Sequence, residues 1–286
     1  MRRYFRSISR LLRALFKDPS TFSRVIDSTP VLLESKHFST LYSDKSKAVA
    51  NPISPKDNPL WDYFQDNKKG NGIWKWEHYF DIYHRHFSKY IGKKVNVLEI
   101  GIYSGGSLEM WRSYFGDKSH IYGVDIEPAC KEYENENVTV FIGDQEDKTF
   151  WDTFKKDVDG IDILIDDGGH SPKQQQTTLE EMLSYLNPGG IYLCEDVNSR
   201  FNKFSAFAAG LVNELNHHDE IKGAKITSTA TSSFQSAIHS IHFYPFLVII
   251  EKHESPLEVL TSLKRGTEWQ PFYNKEVVTK NTEIAE

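Results

Sequence analysis

The stretch Val95-Asn96-Val97-Leu98-Glu99-Ile100-Gly101-Ile102-Tyr103-Ser104-Gly105-Gly106-Ser107 decides the fold, because a short apolar run passes directly into a glycine-rich turn. A helix is predicted to follow through Leu108, Trp111 and Phe115. A buried strand that leads through glycines into a helix is typical of α/β proteins with a parallel sheet. Glycines at such a turn also let the backbone approach a ligand at the helix N-terminus.

Further short apolar runs alternate with helical segments after this strand. The predicted parallel strands are 95–100, 121–124, 138–142, 161–165 and 190–194. Segments 237–243 and 246–251, separated by Tyr244-Pro245, predict an antiparallel hairpin at one sheet edge. The expected fold is therefore an open α/β sandwich with a mainly parallel sheet, a C-terminal antiparallel hairpin and helices on both faces.

Composition limits the possible classes of protein. The chain has 286 residues, of which 39% are hydrophobic, and this fits a soluble globular protein with one main α/β domain. A formal net charge of -6 does not favour nucleic-acid binding, and no apolar run is long enough to span a membrane. The two cysteines, Cys130 and Cys194, cannot form a disulfide framework and are predicted to be reduced thiols, which favours a cytoplasmic protein.

The N-terminal segment 1–17 predicts a basic amphipathic helix. It has six basic residues and no acidic residue, and the basic residues lie on the side of the helix opposite the apolar residues. Three interpretations stay open. The helix can lie on an anionic membrane surface, act as a mitochondrial-type targeting peptide in a eukaryotic source, or pack on its own domain or on a partner subunit.

Four segments follow from these patterns: a basic helix at 1–18, an irregular extension at 19–73, the α/β domain at 74–252 and a C-terminal tail at 253–286. Asn51-Pro52, Ser54-Pro55 and Asn58-Pro59 predict turns in the extension. Aromatic residues at three- and four-residue steps predict a helix over 74–91. Its histidines are expected to be surface or capping residues rather than metal ligands.

Acidic residues at the ends of the next two strands suggest an adenosine-containing cofactor. Asp125 ends the second strand, where a carboxylate can accept both ribose hydroxyls, and Asp144-Gln145 follow the third, where they can read the adenine edge. The dinucleotide fingerprint G-x-G-x-x-G is absent, which disfavours a nicotinamide oxidoreductase. Each acid alone could instead cap the following helix.

A second set of polar residues follows the fourth and fifth strands. Asp166-Asp167 and His170 come after one strand, and Glu195-Asp196 come after the next. Neighbouring parallel strands bring their carboxyl ends to one edge of the sheet, so these side chains are expected to meet there. Carboxylates are the ligands that Mg²⁺ prefers, and an uncoordinated histidine can move a proton near neutral pH. In the alternative interpretation, the aspartates cap the helix that begins near Pro172.

The order Glu99-x-Gly101, Asp125, Gly143-Asp144-Gln145, Asp166-Asp167 and Asn187-Pro188-Gly189-Gly190 resembles the class I S-adenosylmethionine-dependent methyltransferases, with their Rossmann-like sandwich. More narrowly, residues 74–252 resemble the Mg²⁺-dependent sugar O-methyltransferases of the mycinamicin and macrocin type and their cephalosporin-pathway relatives. The resemblance implies cofactor contacts at seven residues: Glu99, Gly101, Ser104, Gly105, Asp125, Asp144 and Gln145. It further implies Mg²⁺ ligands at Asp167, Glu195 and Asp196, with His170 as the base.

The implied activity is methyl transfer from S-adenosylmethionine to an acceptor hydroxyl, on a sugar of a natural product or glycan. Two alternatives stay open, a catechol-type O-methyltransferase and a non-catalytic membrane-peripheral protein of the same fold. The family resemblance also implies a homo-oligomer. Asp166 is expected to support the site rather than bind the metal.

Overall fold

The computed structural model describes residues 9, 10, 12, 13, 15–40, 57–199, 202–218, 228–263, 265 and 266. The chain forms two compact units, residues 1–54 and residues 55–286. Residues 55–73, which the sequence assigned to the N-terminal extension, thus belong to the same unit as the sheet.

The first unit contains the helix α1 (Pro19–Thr40), which is 22 residues long with Pro30 inside it. The expectation of an irregular segment was wrong here, because the prolines that suggested turns all follow this helix in the sequence. The predicted basic helix lies partly outside the described residues, since 1–8, 11 and 14 are not described. The described residues between 9 and 17 are helical.

The second unit begins with the helix α2 (Pro59–Asp66). The predicted turn at Asn58-Pro59 is instead the start of this helix. The Asn58 side chain accepts hydrogen bonds from the backbone amides of Leu60 and Trp61, and proline at the first helical position leaves no amide unsatisfied. Leu60 is fully buried, so the helix packs into the core.

The helix α3 (Tyr79–Phe87) is followed by a 3₁₀ turn at Ser88–Tyr90. It is shorter than the predicted helix over 74–91, because residues 72–76 have no regular secondary structure. The expected surface position of its histidines was wrong for His86, which is buried and hydrogen-bonded to Glu251.

The main sheet has seven strands: β1 (Val95–Ile100), β2 (Ser119–Asp125), β3 (Val138–Ile142), β4 (Ile161–Asp166), β5 (Leu186–Cys194), β7 (Ile238–Tyr244) and β8 (Leu247–Lys252). Their order is β3-β2-β1-β4-β5-β8-β7. The first five are parallel, and β8 and β7 form the antiparallel hairpin that the sequence predicted. A small antiparallel sheet joins β6 (Ser228–Ala230) to β9 (Val259–Thr261), so part of the predicted tail is a strand.

The remaining helices are α4 (Gly106–Phe115), α5 (Lys148–Asp157), α6 (Pro172–Met182), α7 (Lys203–Leu215) and α8 (Ser233–Ala237), with a 3₁₀ helix at Pro128–Tyr133. Two buried clusters lie on opposite sheet faces, because adjacent strand residues such as Val97 and Leu98 belong to different clusters. The predicted two-sided α/β sandwich is confirmed.

Strand order reverses direction between β1 and β4, which are neighbours although two strands separate them in the sequence. Ligands of open α/β sheets bind at such a switch point, beside the carboxyl ends of the strands. Both cysteines are free and buried, as expected. None of the helices among the described residues is long and apolar enough to cross a membrane.

Candidate active site

A cavity of about 860 Å³ lies at the carboxyl ends of the parallel strands. Residues from every predicted site segment line it, which brings together positions up to about 100 residues apart in the sequence. The lining includes Gly101, Ser104, Asp125, Asp144, Gln145, Asp167, His170, Glu195 and Asp196. Of the predicted site residues, Glu99 and Gly105 are buried behind this lining.

The turn after β1 packs directly against the turn after β4. Gly101 has a φ of 83°, and a Cβ at this position would lie 2.2 Å from the carbonyl oxygen of Asp167. Only glycine therefore fits both the backbone conformation and the space. This close approach places the glycine turn beside the acidic loop at the cavity floor.

Asp125 ends β2 at the cavity. Its Oδ2 accepts a hydrogen bond from the Tyr103 amide at 3.1 Å, and its Oδ1 accepts one from the Glu127 amide at 2.9 Å. These bonds fix the carboxylate, while each oxygen retains capacity for a further donor. Asp144 is exposed at the end of β3, where its Oδ1 accepts from the Glu146 amide at 2.8 Å.

The Gln145 side chain is hydrogen-bonded within the protein and is therefore not free to bind the adenine base. Its Nε2 donates to Asp166 Oδ1 at 2.9 Å and to Thr178 Oγ1 at 3.0 Å, and its Oε1 accepts from the Gly169 amide at 2.8 Å. The side chain therefore shapes the loop that carries His170. Asp166 is 1% exposed. Besides the bond from Gln145, it accepts hydrogen bonds from the Gly168 amide at 3.4 Å and from the Tyr192 hydroxyl at 3.2 Å, so it supports the same loop.

His170 and two of the predicted metal ligands face one another. The His170 Nε2 lies 3.9 Å from Asp167 Oδ1 and 3.6 Å from Asp196 Oδ2. Both His170 and Asp196 have positive φ angles, 56° and 52°, which cost non-glycine residues about 1 kcal/mol or more. Backbone strain of this kind persists only where the surrounding structure holds the residues in place, and it is common at functional sites.

Lys75 is the site residue that the sequence did not predict. Its Nζ lies 2.6 Å from Asp167 Oδ2, 3.1 Å from Glu195 Oε1 and 3.2 Å from Glu99 Oε1. Only 3% of its side chain is exposed. A signal was present, since Trp74-Lys75-Trp76 places a lysine between two large aromatics and the strand ends carry several unmatched carboxylates.

Electrostatics keep the Lys75 ammonium charged. Burial alone would lower the pKa of this amine, but the carboxylates of Asp167, Glu195 and Glu99 raise the pKa well above its usual range. Burial raises the pKa of Glu99, and the Lys75 ammonium and the Ser107 hydroxyl partly offset this increase. The three carboxylates therefore surround a positively charged side chain.

Asp196 is fixed from the other side by aromatic residues. Its Oδ1 accepts hydrogen bonds from Trp76 Nε1 at 2.9 Å and from the Tyr79 hydroxyl at 3.1 Å. Its second oxygen, Oδ2, is the one that faces His170. Glu195 is 1% exposed and accepts from the Tyr83 hydroxyl at 2.6 Å as well as from Lys75.

The chain is similar to known methyltransferases. A family model described as a methyltransferase domain matches residues 98–197. The chain is 30% identical over 204 residues, 65% of its length, to the 8-demethyl-8-alpha-L-rhamnosyl tetracenomycin-C 2'-O-methyltransferase of Streptomyces olivaceus, of which it covers 53%. It is 32% identical over 174 residues, 56% of its length, to the demethylmacrocin O-methyltransferase of Streptomyces fradiae, of which it covers 42%.

The chain contains a class I S-adenosylmethionine-dependent methyltransferase domain. Among solved structures, the domain is similar to the MycE methyltransferase from the mycinamycin pathway in complex with Mg and SAH. The TM-score is 0.55 and the identity 25%, covering 68% of this chain and 54% of that one. The chain thus spans about half the length, or less, of the relatives it matches.

Proposed function

We propose that this chain transfers a methyl group from S-adenosylmethionine to an acceptor hydroxyl, with Mg²⁺ as the metal, on a sugar of a natural product or glycan. One observation carries the proposal. The acids suited to an adenosine cofactor, the acids suited to a metal and the candidate base all line one cavity at the switch point of the sheet.

The cavity fits the cofactor in size and chemistry. Its volume of about 860 Å³ lies within the range of small-molecule sites. Asp125 would accept the ribose hydroxyls with the capacity that its two amide bonds leave. Asp144 rather than Gln145 would contact the adenine, because the amide of Gln145 is already engaged at both ends.

The acidic cluster fits a divalent cation. Asp167, His170 and Asp196 each offer a ligand atom, and these atoms lie within 4.8 Å of one another. Lys75 leaves this cluster accessible, because it contacts Asp167 through Oδ2 while Asp167 Oδ1 lies towards His170. Mg²⁺ prefers oxygen ligands and retains waters, so Asp167 and Asp196 would bind it and His170 would stay free for proton transfer.

When bound, S-adenosylmethionine supplies an electrophilic methyl group, and Mg²⁺ lowers the pKa of an acceptor hydroxyl and orients it. His170 would accept the hydroxyl proton at Nε2, which is the ring nitrogen nearest to the two aspartates. The ring is 41% exposed, so an acceptor entering from solvent can reach it.

The acceptor class rests on the similar proteins. The two curated relatives carry names of O-methyltransferases that act on a rhamnosyl tetracenomycin and on demethylmacrocin. One structure of MycE contains mycinamycin VI together with Mg and SAH, at 26% identity and a TM-score of 0.54. These names favour a sugar hydroxyl over a catechol for this chain.

The test measures transfer of an isotopically labelled methyl group from S-adenosylmethionine to a panel of glycosides and simple catechols, in the presence of either Mg²⁺ or a chelator. We expect transfer to a sugar hydroxyl that chelator abolishes. His170→Gln should reduce turnover by about 100-fold or more, as expected for a general base. His239→Gln, an exposed histidine on β7, serves as the matched control and should retain activity. Transfer to catechols alone would contradict the sugar assignment, and full turnover by His170→Gln would contradict the base assignment.

A further inference from the structure

A second cluster of metal-ligating side chains lies between the helix α3 and the C-terminal hairpin. His86 of α3, His242 of β7 and Glu251 of β8 each offer one ligand atom, and these atoms lie within 4.8 Å of one another. All three residues lie outside the described lining of the cavity at the switch point. The cluster is therefore separate from the candidate active site, and it combines two imidazoles with one carboxylate.

We propose that His86, His242 and Glu251 form a binding site for Zn²⁺ or another divalent transition-metal ion. Imidazole is a good ligand for such ions, whereas Mg²⁺ prefers oxygen ligands. Two histidines and one glutamate hold zinc in several metalloenzymes, where a water molecule completes the tetrahedron. The bound ion connects α3 to both strands of the hairpin. This site does not depend on the proposed methyl transfer.

The register of the hairpin brings two of the ligands to one face of the sheet. Ser240 is paired with Glu251, and His242 lies two residues further along β7. Because side chains alternate between the two faces along a strand, these three side chains share a face. Ile249 of β8 lies on the same face and belongs to the same buried cluster as Tyr83 of α3. The helix therefore packs on the face that carries the two hairpin ligands.

The distances between the ligand atoms fit a metal ion after small side-chain rotations. His86 Nδ1 lies 2.5 Å from Glu251 Oε1, and His242 Nε2 lies 3.7 Å from the same oxygen. With bonds of about 2.0–2.2 Å, the ligand atoms of a tetrahedral zinc site are about 3.3–3.5 Å apart. Each pair therefore has to change its separation by about 1 Å or less. The ion would replace the contact between His242 Nε2 and Ser240 Oγ, which are 2.9 Å apart.

The second ring nitrogen of His86 has the partner that a metal-binding histidine requires. Its Nε2 lies 3.0 Å from the Tyr244 hydroxyl oxygen. When an ion takes the place of the proton at Nδ1, the ring carries its proton at Nε2 and donates it to this hydroxyl oxygen. The Tyr244 hydroxyl therefore fixes the orientation of the buried ring and holds Nδ1 towards Glu251.

The cluster is closed on the side of α3 and open to solvent at His242. The His86 and Glu251 side chains are 5% and 17% exposed, whereas the His242 side chain is 36% exposed. An ion can therefore enter beside His242 and retain a water molecule as its fourth ligand. Lys89 leaves the ligand oxygen accessible, because its side chain is 43% exposed and contacts Glu251 through the other oxygen, Oε2, at 3.4 Å.

The test measures Zn²⁺ binding by calorimetry in the full chain, with excess Mg²⁺ present and with Asp196→Asn as the parent, so that the candidate active site does not compete. We expect one zinc site per chain. Adding His242→Gln or Glu251→Gln should weaken zinc binding by about 100-fold or more, since the loss of an outer partner alone costs about 10- to 100-fold. His239→Gln, at an exposed histidine on the same strand, is the matched control and should bind zinc like the parent.

Co²⁺ provides a second readout, because the tetrahedral ion absorbs visible light much more strongly than the hydrated octahedral ion. The parent and its His239→Gln variant should show this absorption, and the His242→Gln variant should lose it. The proposal is overturned by a parent that binds no zinc, or by equal zinc affinity with and without His242→Gln. It is also overturned if His239→Gln weakens zinc binding as much as His242→Gln does. Zinc binding as predicted, without methyl transfer by the wild type, would leave this site standing and contradict the proposed function alone.

Discussion

Replacing Gly101 with alanine tests whether the contact between the glycine turn and the acidic loop shapes the site. Two costs follow from the structure. The φ of 83° is unfavourable for alanine by about 1–2 kcal/mol. The new Cβ would also lie 2.2 Å from the Asp167 carbonyl oxygen, so the two turns must separate, and such overpacking costs about 1–3 kcal/mol.

The sum predicts a loss of about 2–5 kcal/mol in the free energy of unfolding, which lowers the Tm by roughly 4–20 °C for a unit of this size. S-adenosylmethionine binding should weaken as well, because the shift moves Asp167 and its loop. The assays are urea denaturation, thermal melting and calorimetric cofactor titration.

Two other glycines separate the contributions. Gly92 also has a positive φ, 73°, but nothing lies within 4 Å of its would-be Cβ, so Gly92→Ala should cost only about 1–2 kcal/mol. Gly210 lies in the helix α7 with open space around it, so Gly210→Ala should stabilise by about 0.5–1 kcal/mol. A Gly101→Ala variant no less stable than Gly92→Ala would refute the close contact.

Two further predictions concern polar contacts of acidic side chains, one half-buried and one buried. The hydrogen bond with His86, at 2.5 Å, lowers the pKa of Glu251 to about 2 from its ordinary value of 4.5. A depressed carboxyl pKa stabilises the folded state above about pH 4.5, and this stabilisation is lost as the pH falls towards 2. The shift corresponds to at most about 3 kcal/mol, and partial solvation reduces the expected value to about 1–2 kcal/mol. Glu251→Gln should therefore destabilise the protein at pH 7 in urea denaturation and by roughly half as much at pH 3. An equal loss at both pH values would contradict the linkage. Glu254→Gln, at an exposed glutamate, is the control. Separately, Tyr83→Phe removes the buried 2.6 Å bond to Glu195 and should cost about 1–3 kcal/mol by the same assay, whereas a neutral result would show that Glu195 does not depend on it.

The sheet could be predicted well from sequence because its central strands, β1, β4 and β5, are buried on both faces. Val95–Ile100 and Val138–Ile142 have the predicted bounds, and the fourth strand extends the prediction by one residue, to Asp166. Buried parallel strands form continuous apolar runs between helices, a pattern that local sequence shows directly. The convergence of Asp167, His170 and Asp196 follows from strand order for the same reason.

Features that depend on long-range contacts could not be predicted in this way. Lys75 acquires its role from Asp167 and Glu195, which lie 92 and 120 residues further along the chain. The aromatic period around it indicated a helix, but residues 72–76 are instead non-helical and place the lysine in the cluster. The engagement of Gln145 by Asp166 and Thr178 likewise depends on tertiary packing.

The helix α1 shows a different limit. Its described side chains are almost all exposed, including Leu32 and Leu33. A buried apolar stripe is the pattern by which a helix is recognised in a sequence, and the described part of this helix has none. Pro30 lies inside the helix, at a position where proline is normally unfavourable. The expectation of an irregular segment over 19–73 came from the prolines beyond residue 50, which all lie outside this helix.

The central claim, that the cavity beside β1 and β4 binds the methyl donor, is tested most directly by calorimetric titration of S-adenosylmethionine into the wild-type chain. We predict one site per chain, weakened by about 10-fold or more in Asp125→Asn because a ribose contact of about 1.4 kcal/mol or more is lost. Asp159→Asn, a substitution of the same kind outside the cavity lining, should bind like wild type. Absence of binding by the wild type, or equal binding by Asp125→Asn, would contradict the account.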